Sequence, residues 1–362
     1  MTIKNFAWIA TWKITRRCNL YCAYCNHASM RKATDVENVD YKKIIDTLHG
    51  YAPKIVNISG GEPSLVEGLP GILSEIKSRW GPFIRLVHNG TGPENLMASF
   101  PFIDRFVISM DGPDPINKNS RGISGESVLK KLKSVLPELA ANKVEIAVNC
   151  VVTTANLKSM SELAESVHAV SDSILISFTP VMPPDGPLSI LQSNLQTREF
   201  FETFERLKNK GYFVMHAFDG ITRFNDFNAV QCFNQYFVIR LSPEGNVLTC
   251  SLNANQGLKN YWYYSKKIFS KNGLGKAFTK IKMKTKNTFC DSIDFSCTNI
   301  CTCENWLDLL FLGIPSESIS RYARGLRNRM TEKDYQNAED FVKRYINPEF
   351  DINQLKRLVG DQ

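Results

Sequence analysis

Cys18, Cys22 and Cys25 stand in the stretch Ile14-Thr15-Arg16-Arg17-Cys18-Asn19-Leu20-Tyr21-Cys22-Ala23-Tyr24-Cys25, a C-x3-C-x2-C spacing that gathers three thiols on one short loop. Three thiolates so gathered can hold three irons of a 4Fe-4S cube and leave the fourth iron open to an outside ligand, which is a catalytic rather than a structural arrangement. His27, two residues past Cys25, offers a different chemistry: a closed Cys3His zinc site. Short Cys/His clusters of this kind read as zinc sites too, so the spacing alone leaves both open.

A second motif follows. The apolar run Lys54-Ile55-Val56-Asn57-Ile58 leads into Ser59-Gly60-Gly61-Glu62-Pro63. Two glycines let backbone approach a ligand closely, Glu62 offers an anionic acceptor to an ammonium, and Pro63 stiffens the exit. Together the two motifs resemble those of the radical S-adenosylmethionine (radical SAM) enzymes, down to the aromatic Tyr24 just before the third cysteine. The resemblance implies that Cys18, Cys22 and Cys25 ligate a 4Fe-4S cluster whose open iron chelates the amino and carboxylate groups of SAM. It further implies that one electron from the cluster splits SAM into methionine and a 5'-deoxyadenosyl radical, which takes a hydrogen atom from substrate. Tyr24, Gly60, Gly61 and Glu62 are then cofactor-binding residues, and zinc recedes.

The same resemblance extends to Ser109-Met110-Asp111-Gly112, followed by Arg121-Gly122. It implies that Ser109 and Arg121 hold the carboxylate and ribose region of SAM; an arginine suits a carboxylate because its planar fork pairs with two oxygens at once. Without the resemblance, Asp111-Gly112-Pro113-Asp114-Pro115 reads as a turn-rich loop. Asn89, before Gly90, and Asn149 are further cofactor-binding candidates, Asn149 facing either SAM or the barrel interior.

Strand-like apolar runs alternate with helix-length amphipathic stretches through about residue 180, the pattern of parallel βαβ units. Strands are expected at 11–15, 55–59, 84–88, 106–110, 145–152 and 174–179, with helices at 41–49, 71–79, 127–141 and 157–170. Six such units resemble the partial (β/α)6 TIM-like barrel of the radical SAM fold, an α/β class. A barrel of this kind works at the carboxyl ends of its strands, where the motifs above fall. Past Pro180, Pro183, Pro184 and Pro187 a helix is expected at 198–211 and a strand at 212–215. The domain reading is a barrel core over 1–215, an iron-sulfur module over 216–310 and a helical tail over 311–362.

Cys232, Cys250, Cys290, Cys297, Cys301 and Cys303 all fall in that second segment. Cys232-x12-Gly245-x4-Cys250 encloses Leu241-Ser-Pro-Glu-Gly-Asn-Val-Leu, which reads as a hairpin with Pro243 and Gly245 in its turn. This resembles the opening of the SPASM and twitch modules, which carry auxiliary 4Fe-4S clusters. The later cysteines depart from the full SPASM pattern, for Cys290-x6-Cys297-x3-Cys301-x-Cys303 lacks a C-x2-C opening. Eight thiolates would be needed to close two clusters and six are present. One auxiliary cluster is expected, with Cys232 and Cys250 as ligands and Cys301 the best third by analogy, and a second if it has three thiolates or borrows another ligand. Structural zinc is the alternative, and Cys150 reads as a buried small apolar residue.

The chain has 362 residues, 43% of them hydrophobic, enough for a sizeable core. No apolar run reaches the roughly 18 residues of a membrane span and the N-terminus lacks a signal-peptide core. Ten cysteines without an export signal point to a reducing, cytoplasmic setting. The net charge of +8 concentrates between Lys266 and Lys286, where eight lysines meet no acidic residue, and a second basic stretch holds Arg321, Arg324, Arg327 and Arg329. Such runs are solvated faces or docking sites for an acidic flavodoxin or ferredoxin electron donor, or for a phosphate-bearing or acidic-peptide substrate; no nucleic-acid motif accompanies them.

The expectation is therefore an oxidoreductase or epimerase of a hydroxyl-bearing small molecule such as a sugar or aminocyclitol, with oxidative modification of a ribosomal peptide as the alternative. The small molecule is favoured because no peptide-recognition segment precedes the claw at Cys18. The competing class is a non-catalytic iron-sulfur or zinc protein.

Overall fold

In a computed structural model, the structure describes residues 8–25, 39–91, 94–181, 188, 190, 193–216, 238–245, 247–248, 326–345 and 349–360. Nine strands form one sheet in the order β7-β6-β5-β4-β3-β2-β1-β8-β9. They are β1 (Ile9–Thr15), β2 (Ile55–Gly60), β3 (Phe83–His88), β4 (Arg105–Ser109), β5 (Glu145–Val152), β6 (Leu175–Pro180), β7 (Val214–His216), β8 (Val238–Leu241) and β9 (Val247–Leu248). All neighbours from β7 to β8 run parallel, and β9 returns antiparallel to β8. Helices α1 (Tyr41–Tyr51), α2 (Leu69–Trp80), α3 (Ile116–Arg121), α4 (Gly125–Ala141), α5 (Met160–His168) and α6 (Asn194–Asn209) connect them, and α7 (Glu332–Tyr345) and α8 (Ile352–Val359) close the chain.

The helices form where caps and apolar spacing agree. The Asp40 side chain accepts from the Lys43 backbone N at 3.0 Å to start α1, whose Ile44, Ile45, Leu48 and Tyr51 turn inward. Val128, Leu132, Val135 and Leu139 make the same three- and four-residue stripe on α4. These stripes pack on one face of the sheet, made by Trp12, Ile58, Leu86, Phe106, Val148 and Ile176. Alternate residues point the other way, into the concave side. That inner face is polar: Lys13, Thr15, Asn57, Ser109, Ser177, Thr179 and Arg240 are all buried there. A helix-coated outer face with a polar inner face makes a partial barrel.

The six strands expected of the barrel all form, and the strand expected at 212–215 forms as β7, extending the row. The hairpin expected around Pro243 and Gly245 forms as β8–β9. It does not stand apart from the barrel: Ile9 to Trp12 pair with Val238 to Leu241, so the sheet runs across the 215/216 boundary. Gly245 adopts φ 80, and a Cβ there would lie 2.7 Å from the Ile44 side chain on α1. The helix expected at 157–170 begins as a 3-10 turn over Leu157–Ser159 and ends at His168, while α3 has no counterpart in the expectation.

The tail closes the amino ends of the strands. Lys54, just before β2, pairs with Asp334 at 2.8 Å, and Arg329 lies 3.5 Å from Asp104 and over the Phe83 ring. Arg329, one of the second basic stretch, thus serves as a packing contact. Among the described residues no helix is long and apolar enough to cross a membrane.

Candidate functional site

The thiol loop leaves β1 at Thr15 and is held first by the glycine turn after β2. The Gly61 amide donates to the Thr15 carbonyl at 2.7 Å and the Glu62 amide to the Arg17 carbonyl at 2.8 Å. Gly60 has φ 129, and a Cβ on it would meet the Thr15 oxygen at 2.5 Å; on Gly61 it would meet the Arg17 oxygen at 2.0 Å. The expectation was that these glycines admit a ligand. The closeness they provide is taken up by the chain's own backbone, one residue before Cys18.

Glu62, expected to present its carboxylate to an ammonium, stands on the same turn. The side chain is 1% exposed and its oxygens are engaged. Oε1 accepts from the Ser64 amide at 2.9 Å and hydroxyl at 2.7 Å, and Oε2 from the Asn89 amide at 2.8 Å. Burial pushes the Glu62 pKa up to about 6, against those bonds and the charge of Arg121. Next to it, burial lowers His88 to about 3, with Lys131 adding repulsion; its Nδ1 accepts from the Gly90 amide, so the proton of the neutral ring lies on Nε2, 3.6 Å from Glu62. A buried carboxylate with such partners fixes a turn.

Asn89, at the end of β3, carries that hold to the thiol loop. Its Nδ2 donates to Asn19 Oδ1 at 2.8 Å and lies 4.0 Å from Cys18 Sγ, while its Oδ1 accepts from the Thr91 amide and hydroxyl. Asn19 Nδ2 completes the ring to Thr91 Oγ1 at 2.7 Å.

On the other side the loop meets β4 and α3. The Ala23 amide donates to the Ser120 carbonyl at 2.9 Å, and the Tyr24 hydroxyl donates to Asp111 Oδ2 at 2.5 Å. Arg121 Nη1 donates to that hydroxyl and lies 3.5 Å from Asp111 Oδ1. Arg121 is 6% exposed, and its Nε has no partner among the described residues. Arg121 was expected to pair with an incoming carboxylate; its nearest anion is Asp111.

Residues 12–164 match the family model of the radical SAM superfamily. The core is a radical SAM domain. The chain is 26% identical over 263 residues to a probable GTP 3',8-cyclase of Methanococcus maripaludis, covering 66% of this chain and 83% of that one. In fold it is similar to Streptococcus suis SuiB bound to S-adenosylmethionine, at TM-score 0.57 and 16% identity over 82% of this chain and 72% of that one. It is also similar to anSMEcpe with bound AdoMet, at TM-score 0.50 and 14% identity over 98% and 99% of the two chains. The expected fold, a partial TIM-like barrel, is the one found.

Radical SAM cofactors are a 4Fe-4S cluster and SAM, and the residues present fit them. Cys18, Cys22 and Cys25 are free thiols, partly exposed at the mouth of the barrel. A cube offers each of three thiolates a different iron. Burial pushes the Cys22 thiol up, Arg121 opposes, and Cys25, Asp111 and Cys18 push the same way as burial. Coordination to iron is what would deprotonate it.

Ser109 closes β4 and pairs in register with Asn149 of β5, which pairs with Ser177 of β6. The three share the inner face of the sheet. Sequence reasoning passed over Asp111 and Asn19. Asp111 was visible inside Ser-x-Asp-Gly, yet only the fold shows that its carboxylate faces Tyr24. Cys150 is buried in β5 as expected, with its thiol 3.7 Å from the Asp111 carbonyl. His27, Cys232, Cys250, Cys290, Cys297, Cys301, Cys303 and the lysines from 266 to 286 lie outside the described residues.

Proposed function

We propose that this radical SAM enzyme abstracts a hydrogen atom from a hydroxyl-bearing small molecule, a sugar or aminocyclitol type, and completes a dehydrogenation or an epimerisation with an auxiliary iron-sulfur cluster. The observation that carries it is a loop of three thiols clamped at the mouth of a barrel whose lumen is lined with hydroxyl, amide and cationic side chains. When bound, the cluster supplies the electron that cleaves SAM to methionine and a 5'-deoxyadenosyl radical. Cys18, Cys22 and Cys25 hold that cluster. The Gly60-Gly61 turn fixes the loop's entry, and Asn89 and Tyr24 fix its two flanks. Ser109, Asn149 and Ser177 offer hydrogen bonds to a polar ligand in the lumen.

The balance of the reaction assigns the second module its part. The abstracted hydrogen leaves in 5'-deoxyadenosine; in a dehydrogenation the substrate radical must then lose one electron and one proton. A cluster held by Cys232, Cys250 and cysteines among Cys290, Cys297, Cys301 and Cys303 would take that electron, or in an epimerisation would supply the electron that, with a proton, restores the C–H bond. The hairpin β8–β9 supports this, because it forms as the SPASM or twitch resemblance requires and lies against β1. A flavodoxin or ferredoxin type of donor supplies the first electron, and a reducing cytoplasm suits both clusters. The sugar reading draws on the relative named for GTP, a nucleotide whose 3' position is a sugar carbon.

A second reading has its own support. SuiB has also been solved bound to its precursor peptide SuiA, and this chain is similar to it at TM-score 0.56. On that reading the lumen receives a peptide side chain. Substrates deuterated at candidate positions separate the two. Reduced, reconstituted enzyme should transfer deuterium into 5'-deoxyadenosine from a sugar, aminocyclitol or nucleotide. Transfer only from a peptide would replace the first reading with the second. Iron analysis tests the module: about four irons per chain with the N-terminal thiols intact would remove the auxiliary cluster, and about eight would support it.

A further inference from the structure

Asp111 lies just beyond β4, 1% exposed, under the thiol loop. Its Oδ2 accepts from the Tyr24 hydroxyl at 2.5 Å and the Ser120 hydroxyl at 2.9 Å. Its Oδ1 accepts from the Val151 amide at 3.1 Å and lies 3.5 Å from Arg121 Nη1. Its own backbone is fixed as well, the amide donating to Asn117 Oδ1 at 2.8 Å and the carbonyl accepting from Asn156 Nδ2 at 3.0 Å. One carboxylate therefore ties together β5, α3 and the stretch between Cys22 and Cys25.

We infer that Asp111 is the positioning residue of the thiol loop: it fixes Cys22 and Cys25 through Tyr24 and the adjoining Ser120, and it neutralises the buried charge of Arg121 beside them. The inference rests on the reading of Cys18, Cys22 and Cys25 as cluster ligands. Ser120 accounts for the second half of the clamp, since its carbonyl accepts from Ala23 while its hydroxyl donates to Asp111. Arg121 could not be buried there alone, because an unpaired guanidinium loses its hydration with nothing in return.

The electrostatic consequence is measurable. Reduction adds a negative charge to a cluster, so a nearby cation favours the reduced state and a nearby anion opposes it. Asp111 cancels Arg121; without it the cation acts unopposed.

The test is a redox titration, followed by electron paramagnetic resonance with and without SAM, on the full-length reconstituted wild type, Asp111→Asn and Tyr24→Phe. Asp111→Asn, nearly the same shape without the charge, should raise the reduced-to-oxidised ratio at a fixed potential about tenfold, an upward shift of about 59 mV for one electron. Tyr24→Phe keeps the ring and the charge pair but drops the bridging hydroxyl, and should alter the reduced-cluster spectrum and weaken its response to SAM. A wild-type potential and SAM response in both variants, at wild-type iron content, overturns the inference. Should Asp111→Asn fail to assemble, Tyr24→Phe decides alone, and wild-type spectra there overturn it. A wild type with no 4Fe-4S signal would instead remove the ligand reading on which the inference stands.

Discussion

Gly61 faces the carbonyl of Arg17 so closely that a Cβ would lie 2.0 Å from its oxygen. The neighbouring amide bonds, from Gly61 to Thr15 and from Glu62 to Arg17, make this a lock between the turn after β2 and the chain entering the thiol loop. Gly61→Ala cannot be absorbed by a side-chain shift, because the atom it meets is backbone. The variant is expected to lose several kcal/mol of stability or, if it folds, to displace the loop and lose N-terminal cluster iron. Thermal unfolding and iron analysis check this; a Gly61→Ala protein with wild-type stability and iron would show that the lock is dispensable.

Glu62 gives a pH signature. A carboxyl whose folded pKa lies above its unfolded value favours the protonated form in the fold. Its contribution is therefore most stabilising at low pH and is lost as pH rises from about 4.5 to about 6. The shift corresponds to about 2 kcal/mol. Glu62→Gln removes the titration and also turns an amide donor toward N–H groups that need an acceptor. The variant should be less stable at every pH, yet the gap should narrow through that window. Urea unfolding curves that stay parallel between the two proteins would contradict this account.

For Arg121 the expected outcome follows from its partners. Arg121→Ala leaves Asp111 buried with its countercharge gone, at a cost of about 3–5 kcal/mol. Reduced stability should therefore accompany any loss of SAM affinity, and Arg121→Ala combined with Asp111→Asn should recover part of the stability. A fully stable Arg121→Ala protein that only binds SAM more weakly would put the guanidinium on the ligand.

The tail offers a test far from the chemistry. Burial raises the Asp334 carboxyl, but the bonds from Lys54 and Thr331 outweigh it and hold it below the ordinary value of 3.8. A depressed carboxyl stabilises above its unfolded pKa and loses that contribution as pH falls through its folded one. Asp334→Asn should cost about 1 kcal/mol near neutral pH, and less as the pH drops below about 3.8. Equal stability of variant and wild type at neutral pH would show that α7 is not anchored through Lys54.

The barrel was legible because its signals are local. Each of the six expected strands is an apolar run of the right length, and the helix of Val128, Leu132, Val135 and Leu139 declares its own period. Helix α3 was not legible: it has six residues, begins after two prolines and shows no stripe. The motifs name candidate residues by type and spacing, which says nothing of the contacts each side chain makes within the fold. Glu62 and Arg121 are expected at a ligand because their types suit one. Their inward partners, Ser64 and Asn89 for one, Tyr24 and Asp111 for the other, come from turns and strands that only the fold brings together. Asp111 and Asn19 were missed for the same reason.

The central claim is that Cys18, Cys22 and Cys25 hold the cluster at which SAM is cleaved. It is tested by the yield of 5'-deoxyadenosine from SAM with the reduced, anaerobically reconstituted protein, compared with a variant in which all three cysteines are alanine. The account predicts formation by the wild type and none above background by the variant, with iron bound through the C-terminal cysteines retained. Undiminished 5'-deoxyadenosine from the triple variant would contradict it.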